Sequence, residues 1–312
     1  MAYYLGIDGG GSKTTCAVGD DLSLLARSEA GGSNITRLGQ VRARESLHQA
    51  IREACAAARI EPRQIDRACI GVAGAGRAEA ADALRKIMAE VISSEIEVVG
   101  DMAIALEAAF GAGPGVIVIA GTGSIAYGRD SQGKTARAGG WGFAISDEGS
   151  AHWIGRTAVG NLLRAIDERR GEETGDQVSI EGLPLFDKLK AAWKLNSLDE
   201  FVRTANSGPD FAALFPAILI AADGDALATR VLEQAGRELA QLARIVVRRL
   251  FPGQTNIELA LAMAGGVFCH SALVREVFCS EVRKLDARLK VNPEPVEPVL
   301  GALQMARCPV RP

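Results

Sequence analysis

The sequence is poor in several residue types, and each shortage excludes a class of function. Histidine occurs only three times, and His48, His152 and His270 share no metal-ligand spacing, so no zinc site is expected. Basic and acidic residues nearly cancel, 35 against 38 for a net charge of -3, without the basic excess typical of nucleic-acid-binding proteins. Aromatic residues make up 5% of the chain. Charged residues are 23% and apolar residues 48%, a balance that excludes general disorder.

The sequence also shows no paired-cysteine motif and no secretory signal pattern. The six cysteines form no C-x-x-C pair, and the first eight residues, MAYYLGID, lack the basic start of a secretory signal. We therefore expect reduced thiols and a cytoplasmic location. The longest uncharged run, 108–128, contains six glycines and Pro114, so it is not expected to be a membrane helix, and no membrane or nucleic-acid partner is predicted.

Glycine, in contrast, is abundant: 35 of 312 residues, about 11% against an average near 7%. Strand and helix patterns alternate along the chain, which predicts an α/β fold. We expect strands near 3–8, 14–18, 67–73, 95–100 and 257–264, helices near 40–58, 77–92 and 225–250, and a strand hairpin over 117–128. Both halves open with a strand, a glycine turn and a second strand, and the segment 111–115 (GAGPG) is the predicted hinge.

Two of these glycine turns suggest anion binding. The first, GIDGGGSKTT, places Asp8 at a strand end beside three glycines, two hydroxyl residues and Lys13. Glycines let backbone N–H groups converge on a phosphate, and Asp8 can bind Mg²⁺ through water. The second, AGTGS at 120–124, fits a loose dinucleotide fingerprint, but a strand follows it instead of the helix that fingerprint requires. An ordinary hairpin turn remains the alternative for each.

Acidic residues stand at two further informative positions. Asp101 ends an apolar strand and precedes the helix-forming segment MAIALEAAFG, so it is either a helix cap or a general base at the edge of a sheet. The loop GGWGFAISDEGS, 139–150, combines exposed backbone, Trp141, Asp147 and Glu148, as a sugar site requires; the alternative is a surface loop. Asn34 either binds hydroxyl groups or makes an Asx turn.

In this order, the motifs GIDGGGSKT, GDMAIALEAA, AGTGS, AGGWGFAISDEGS and MAGGVF resemble the sugar-kinase branch of the actin/hexokinase superfamily. More narrowly, the chain resembles the BadF/BadG/BcrA/BcrD ATPase family and its N-acetylglucosamine kinases, from residue 4 to about 306. The resemblance implies two ribonuclease-H-like, actin-like ATPase domains, here 1–113 and 114–312, with nucleotide and sugar in a central cleft and the last helix packing back toward the first domain. It also implies a homodimer.

The resemblance assigns roles to residues that occupy the matching motif positions. Asp101 matches the catalytic base. ATP and its phosphates would be bound by Asp8, Gly10, Gly11, Ser12, Lys13, Thr14, Gly121, Thr122, Gly123, Ser124, Gly265 and Gly266, with Asp8 also facing Mg²⁺. The amino sugar would be bound by Asn34, Gly140, Trp141, Gly142 and Asp147, together with Glu148 of the same loop.

The function implied is phosphorylation of an amino sugar at its 6-hydroxyl by ATP with Mg²⁺. N-acetylglucosamine, N-acetylmuramic acid and glucosamine all remain open as the acceptor. The alternative is an ATPase activator of a 2-hydroxyacyl-CoA dehydratase or benzoyl-CoA reductase type, which holds an iron–sulfur cluster with cysteines from the middle of the chain. The absence of any cysteine between Cys69 and Cys269 disfavours that alternative.

Overall fold

The protein is described by a computed structural model that covers residues 1–73, 78–172, 183–253 and 258–308, without the side chains of 170–172. The glycine loop at 74–76 and the predicted start of a strand at residue 257 lie outside these ranges. Within them, ten strands form two sheets of five strands each. The α/β class predicted from the sequence is confirmed.

The first sheet has the strand order β3-β2-β1-β4-β5. Its strands are β1 (Tyr4–Gly9), β2 (Lys13–Gly19), β3 (Leu24–Gly31), β4 (Arg67–Val72) and β5 (Glu95–Val99). The first three strands are antiparallel neighbours, whereas β4 and β5 run parallel to β1.

The second sheet repeats this topology with the order β10-β9-β6-β7-β8. Its strands are β6 (Gly115–Ala120), β7 (Ser124–Arg129), β8 (Thr135–Gly139), β9 (Leu259–Ala264) and β10 (Leu289–Val291). Again three antiparallel strands are followed by two parallel ones. The weak repeat seen in the sequence is therefore a repeat of a whole sheet.

Helices connect and cover the two sheets. They are α1 (Ile35–Ala57), α2 (Ala78–Ala89), α3 (Asp101–Phe110), α4 (Ala151–Glu172), α5 (Pro184–Ala192), α6 (Leu198–Asn206), α7 (Phe215–Ala221), α8 (Ala226–Leu250), α9 (Gly266–His270), α10 (Ala272–Leu285) and α11 (Pro298–Arg307), with 3₁₀ turns at Pro62–Gln64 and Phe211–Leu214. No single helix in the described ranges is both long and apolar enough to cross a membrane. The segments Phe211–Ala221 and Ala226–Leu250 reach that composition only as a pair bent by 118°.

Helix α1 begins five residues earlier than the hydrophobic pattern predicts. Asn34 caps it by accepting a hydrogen bond from the Arg37 N–H, and the chain then kinks at Gly39, where φ is 79° and ψ is 166°. Because a positive φ is unfavourable for residues with a side chain, glycine at this position lets a short capped turn precede the long amphipathic helix. The first turn of α1 therefore runs in a different direction from the long part of the helix after Gly39, which packs on the sheet.

Helix α3 packs between the two sheets and belongs to two apolar clusters. Ile104 joins a cluster with α11 and the first sheet, and Leu106 joins a second cluster with β6 and β9. The close approach depends on glycines: a Cβ on Gly301 of α11 would collide with the carbonyl oxygen of Ile104, and one on Gly71 of β4 would collide with its side chain. The N-terminus of α3 is thus held at the junction of the sheets.

Helix α11 comes last in the chain but packs on the first sheet, against β1, β2 and β4. Gly6 of β1 lies so close to the backbone of Leu303 that any side chain would clash there. A division at 113–114 stays a prediction, and by that division α11 would belong in sequence to one domain and in packing to the other.

The predicted hinge, 111–115, links α3 to β6 and is held at its start by a side chain. The guanidinium of Arg129 on β7 donates hydrogen bonds to the carbonyl oxygens of Gly111 and Gly113. Gly111 ends α3 with φ at 55° and ψ at -134°, a conformation that glycine adopts more readily than residues with a side chain.

Candidate active site

Two aspartates reach the same edge of the first sheet. Asp8 on β1 pairs in register with Gly71 on β4, and Gly71 pairs with Val99 on β5, two residues before Asp101. The two carboxylates are thus separated by the width of one intervening strand. Burial and the negative charge of Asp101 raise the pKa of Asp8 to about 7, against a smaller opposing effect of Lys13. This edge of the sheet concentrates negative charge.

Asp101 is the first residue of α3, and Gly100 occupies the capping position. The Oδ1 atom of Asp101 accepts a hydrogen bond of 2.9 Å from the Met102 N–H. Burial nevertheless raises the pKa of Asp101 above its ordinary value, because this hydrogen bond offsets only part of the lost hydration. Because Gly100 is the capping residue, the helix-cap interpretation of Asp101 is not borne out, whereas its role as a general base stays a prediction. The carboxylate contacts the N–H of the next residue through one oxygen and belongs to the acidic edge.

The first glycine turn joins β1 to β2 and is tied to the start of α1. Gly10 donates its N–H to the Lys13 carbonyl at 2.8 Å, and its own carbonyl accepts the N–H groups of Ser33 and Asn34 at 3.0 and 3.2 Å. Beneath it, the buried Thr14 hydroxyl donates to the Gly31 carbonyl at 2.7 Å. The turn and the Asn34 cap consequently form one connected unit.

Lys13, predicted as a phosphate ligand, makes an ion pair instead. Its Nζ lies 2.7 Å from Oε1 of Glu29 on β3, and both side chains are 59% exposed. Such an exposed pair contributes little to stability and leaves the lysine free to exchange partners. Its role as a phosphate ligand stays a prediction.

The second glycine turn joins β6 to β7 and is fastened to the start of α4. Gly121 donates to the Gly123 carbonyl at 2.9 Å, and the Gly121 carbonyl accepts the Ala151 N–H at the same distance. The Ser124 hydroxyl donates to the Glu148 carbonyl at 2.7 Å. This turn leads into a strand, as expected, so it does not have the geometry of a dinucleotide-binding turn.

The two turns touch each other across the junction of the sheets. The hydroxyl oxygens of Ser12 and Thr122 lie 3.1 Å apart, within hydrogen-bond distance. The structure thereby brings together the two segments to which the family resemblance assigns the ATP phosphates.

Asp147 links the loop 140–148 to the second glycine turn. It is buried, adopts a positive φ of 64°, and accepts the Gly142 N–H at 3.2 Å. Its Oδ2 would lie 2.6 Å from a Cβ on Gly123, so this glycine leaves room for the carboxylate. Burial raises the pKa of Asp147. A positive φ is uncommon for residues other than glycine, although aspartate adopts it more readily than most, and here the contact with Gly142 holds it.

The other predicted sugar-binding residues of this loop are more open. Trp141 is 67% exposed, and the guanidinium of Arg137 lies over its ring at 4.7 Å. Gly140 and Gly142 both have positive φ values, 67° and 104°. Glu148 accepts a hydrogen bond from the Ser146 hydroxyl at 3.0 Å. The structure thus places Asp147 against the glycine turn and the indole of Trp141 on the surface.

The predicted adenosine motif lies next to the second turn. Gly265 has a φ of 97°, and a Cβ there would collide with the carbonyl of Ala120, the residue just before the turn. Gly266 follows as the first residue of α9. The end of β9 therefore approaches the end of β6 so closely that only glycine fits at position 265.

One residue at this site was missed by the sequence analysis. Arg37, in the capped turn after Asn34, places a guanidinium nitrogen 2.9 Å from where a Cβ on Gly11 would stand. The signal available in the sequence was its position three residues after the capping asparagine, which faces it toward the preceding segment. No group of three or more histidine, cysteine or acidic residues in the described ranges is arranged to hold a metal ion.

We predict that Asp8→Asn raises the melting temperature of the protein at pH 8. A carboxyl with a raised pKa binds its proton more tightly in the folded than in the unfolded chain. Stability is therefore lost as the pH rises from about 4, where unfolded aspartates titrate, to about 7, where Asp8 does. Thermal melts of both proteins should converge near pH 4.

Asp20→Asn is the matched control. Backbone N–H groups of Leu22 and Ser23 lower the pKa of Asp20, so its ionised form stabilises the fold and its replacement should lower the melting temperature at pH 8. Equal melting temperatures of wild type and Asp8→Asn at pH 8 would contradict the assigned electrostatics.

Comparison with known proteins gives one consistent result. The BadF/BadG/BcrA/BcrD ATPase family matches residues 5–306. An N-acetylmuramic acid/N-acetylglucosamine kinase of Clostridium acetobutylicum is 32% identical, with 98% of this chain and 99% of that protein covered. An N-acetyl-D-glucosamine kinase of Dictyostelium discoideum is 25% identical over 97% of both chains.

The fold is shared with solved structures of lower identity. A candidate N-acetylglucosamine kinase of Chromobacterium violaceum superimposes with a TM-score of 0.74 at 24% identity, covering 98% of this chain and 99% of that one. The predicted two-domain, actin-like ATPase fold is confirmed by this likeness and by the repeated sheet. The chain belongs to the BadF/BadG/BcrA/BcrD ATPase family.

Proposed function

We propose that the protein is an ATP-dependent amino-sugar kinase that phosphorylates the 6-hydroxyl of N-acetylglucosamine or of a close relative, N-acetylmuramic acid or glucosamine. The observation that carries the proposal is the meeting of both glycine turns beside an acidic sheet edge that ends in Asp101. The similarity to the kinase of Clostridium acetobutylicum supports the same acceptor class.

Asp101 acts as the general base in this proposal. Its raised pKa brings it closer to the operating pH, where proton transfer from a hydroxyl is most effective. As the sugar oxygen attacks the γ-phosphorus, the hydroxyl proton passes to the Asp101 carboxylate and ADP departs. The remaining work is positioning and charge stabilisation, since phosphoryl transfer requires little covalent participation by the protein.

The phosphates would be held mainly by backbone groups. Gly11 and Ser12 in the first turn and Thr122 and Gly123 in the second would offer their N–H groups, with the Ser12 and Thr122 hydroxyls, to an anion. The donors of Gly10, Gly121 and Ser124 are used within the turns and would shape them. Thr14 supports the first turn from below, and Gly265 and Gly266 would face the adenosine. Lys13 would contribute only after leaving Glu29.

Mg²⁺ fits the donor set at this edge. Asp8 is a partly buried carboxylate destabilised by a neighbouring acid, and a divalent cation would relieve that repulsion. Because no cluster of three ligands exists among the described residues, Asp8 would hold the ion together with water and phosphate oxygens. Bound there, the cation would neutralise charge on the nucleotide phosphates.

The amino sugar would lie between the Asn34 turn and the loop 140–148. Asn34 uses its side-chain oxygen for the helix cap, so its amide N–H₂ is the group offered to a sugar hydroxyl. Asp147 and Glu148 supply carboxylates, while Gly140, Trp141 and Gly142 would face the 2-substituent. Closure about the segment 111–115 would exclude competing water from this space.

The remaining expectations stay part of the proposal: movement about the segment 111–115, a homodimer, a role in peptidoglycan recycling, and a cytoplasmic location. The activator alternative gains no support from the described residues. Cys16, Cys55 and Cys69 are buried, and no cysteine lies between Cys69 and Cys269.

The test of the acceptor is a coupled ADP-release assay with N-acetylglucosamine, N-acetylmuramic acid, glucosamine and glucose. We expect sugar-dependent ADP release that is fastest with an N-acetylated amino sugar. ATP turnover that no sugar stimulates would contradict the proposal.

We predict that Asp101→Asn lowers kcat by about 10²–10⁴-fold, the usual effect of losing a general base. Nucleotide binding should persist, because the amide can still accept the Met102 N–H. The measurements are steady-state kinetics and calorimetric titration with ATP.

Glu107→Gln, an acid later on the same helix, is the matched control and should leave kcat within about twofold of wild type. Unchanged turnover in the Asp101 variant would remove Asp101 from the mechanism.

A further inference from the structure

Arg37 occupies the meeting point of the two glycine turns. It lies in the short turn between the Asn34 cap and the Gly39 kink, and that turn is anchored to the carbonyl of Gly10. Its guanidinium forms an ion pair with Asp210, in which Nη2 lies 2.9 Å from Oδ1. Asp210 itself precedes the 3₁₀ turn Phe211–Leu214, so the pair joins α1 to the helical part of the second half of the chain.

The second terminal nitrogen of Arg37 is buried and has no hydrogen-bond partner among the residues that the structure covers. It points at the first turn, 2.9 Å from where a Cβ on Gly11 would stand. The Thr122 hydroxyl of the second turn lies 3.6 Å from that same point. A buried charged donor without a partner is unfavourable unless a ligand accepts its hydrogen bond.

The charge around this nitrogen favours an anion as its missing partner. Arginine stays protonated at all relevant pH values and presents two parallel N–H groups that match phosphoryl oxygens. Asp210 is 47% exposed and engages only Nη2, which leaves Nη1 for a ligand. Lys13, the cation predicted for this role, is paired with Glu29 on the other side of the hairpin.

We propose that Nη1 of Arg37 binds the γ-phosphoryl group of ATP between the two glycine turns and stabilises it during transfer. The inference rests on the proposed kinase function. In the step itself, the bond between the sugar oxygen and phosphorus forms and the bond from phosphorus to the bridging oxygen of ADP breaks. The hydroxyl proton goes to Asp101, and Arg37 donates hydrogen bonds without exchanging a proton.

An acidic sugar offers the same chemistry from another source, because the lactyl carboxylate of N-acetylmuramic acid is also an anion. The contacts favour the phosphoryl group, since Arg37 Nη1 lies against Gly11 of the first predicted phosphate loop, and the Thr122 hydroxyl of the second loop borders the same glycine. If Arg37 binds the phosphoryl group, its mutation should weaken nucleotide binding without sugar. If it binds the sugar carboxylate, only turnover of N-acetylmuramic acid should change.

The experiment compares wild type with Arg37→Gln, Arg37→Lys and Asp210→Asn. Calorimetric titrations use ADP and the non-hydrolysable triphosphate analogue AMPPNP, both with Mg²⁺ and without sugar. We expect Arg37→Gln to weaken AMPPNP binding about 10- to 100-fold and to leave ADP binding within about twofold. Its kcat with N-acetylglucosamine should fall about 10²–10³-fold with the sugar KM unchanged.

Asp210→Asn breaks the same ion pair from its exposed side and is the matched control. It should leave AMPPNP affinity and kcat within about threefold of wild type, because exposed pairs contribute little. Arg37→Lys, which keeps the charge but loses the fork, should fall between wild type and Arg37→Gln, and it serves in place of Arg37→Gln if that variant does not fold.

Three outcomes would overturn the proposal. Equal effects of Arg37→Gln and Asp210→Asn would show a purely structural pair. Equal loss of ADP and AMPPNP affinity would place Arg37 away from the γ-position. Loss of turnover only with N-acetylmuramic acid would assign it to the sugar carboxylate. The titrations need no sugar acceptor, so they test the role of Arg37 separately from the proposed function. If Arg37→Gln selectively weakened AMPPNP binding but the wild-type protein phosphorylated no sugar, only the proposed function would be contradicted.

Discussion

The packing of α3 between the two sheets is the constraint on which the rest of the arrangement depends. A helix that contacts both sheets must be approached closely on several sides, and glycine permits this at Gly71 and Gly301. Because both contacts involve Ile104, one turn from the helix start, the position of Asp101 is set by core packing instead of by a mobile loop. The segment 111–115 then carries the chain directly from this helix into the second sheet.

The electrostatics of the candidate site follow from that placement. Asp8 and Asp101 lie at one sheet edge, and both have raised pKa values. Their ionised forms are therefore unfavourable there unless a cation or a proton neutralises them. The first glycine turn follows directly after Asp8, and together with the second turn and the guanidinium of Arg37 it provides N–H groups for an anion. A nucleotide phosphate with its divalent cation would satisfy both sets at once, and this local complementarity requires no basic excess in the whole chain.

The sequence was sufficient for the elements with strong local signals. The hairpins around both glycine turns and the helix after Asp101 were predicted, because apolar strands flank unmistakable turn residues. Strands β3, β8 and β10 were not predicted, since LLARSEAG is largely exposed, TARAG is only five residues long and LKV only three. Their formation depends on pairing with a neighbouring strand, which one-dimensional patterns do not contain.

The same distinction explains the site. Glycine and aspartate at turn positions are visible in the sequence, whereas the choice between Lys13 and Arg37 is decided by tertiary contacts, with Glu29 pairing the first and Gly11 meeting the second. The most direct measurement is a ³¹P NMR spectrum of the wild-type protein with ATP, Mg²⁺ and N-acetylglucosamine. The account predicts that the γ-phosphate signal is replaced by a phosphomonoester coupled to the two protons on carbon 6. Appearance of inorganic phosphate alone, without a sugar phosphate, would contradict it.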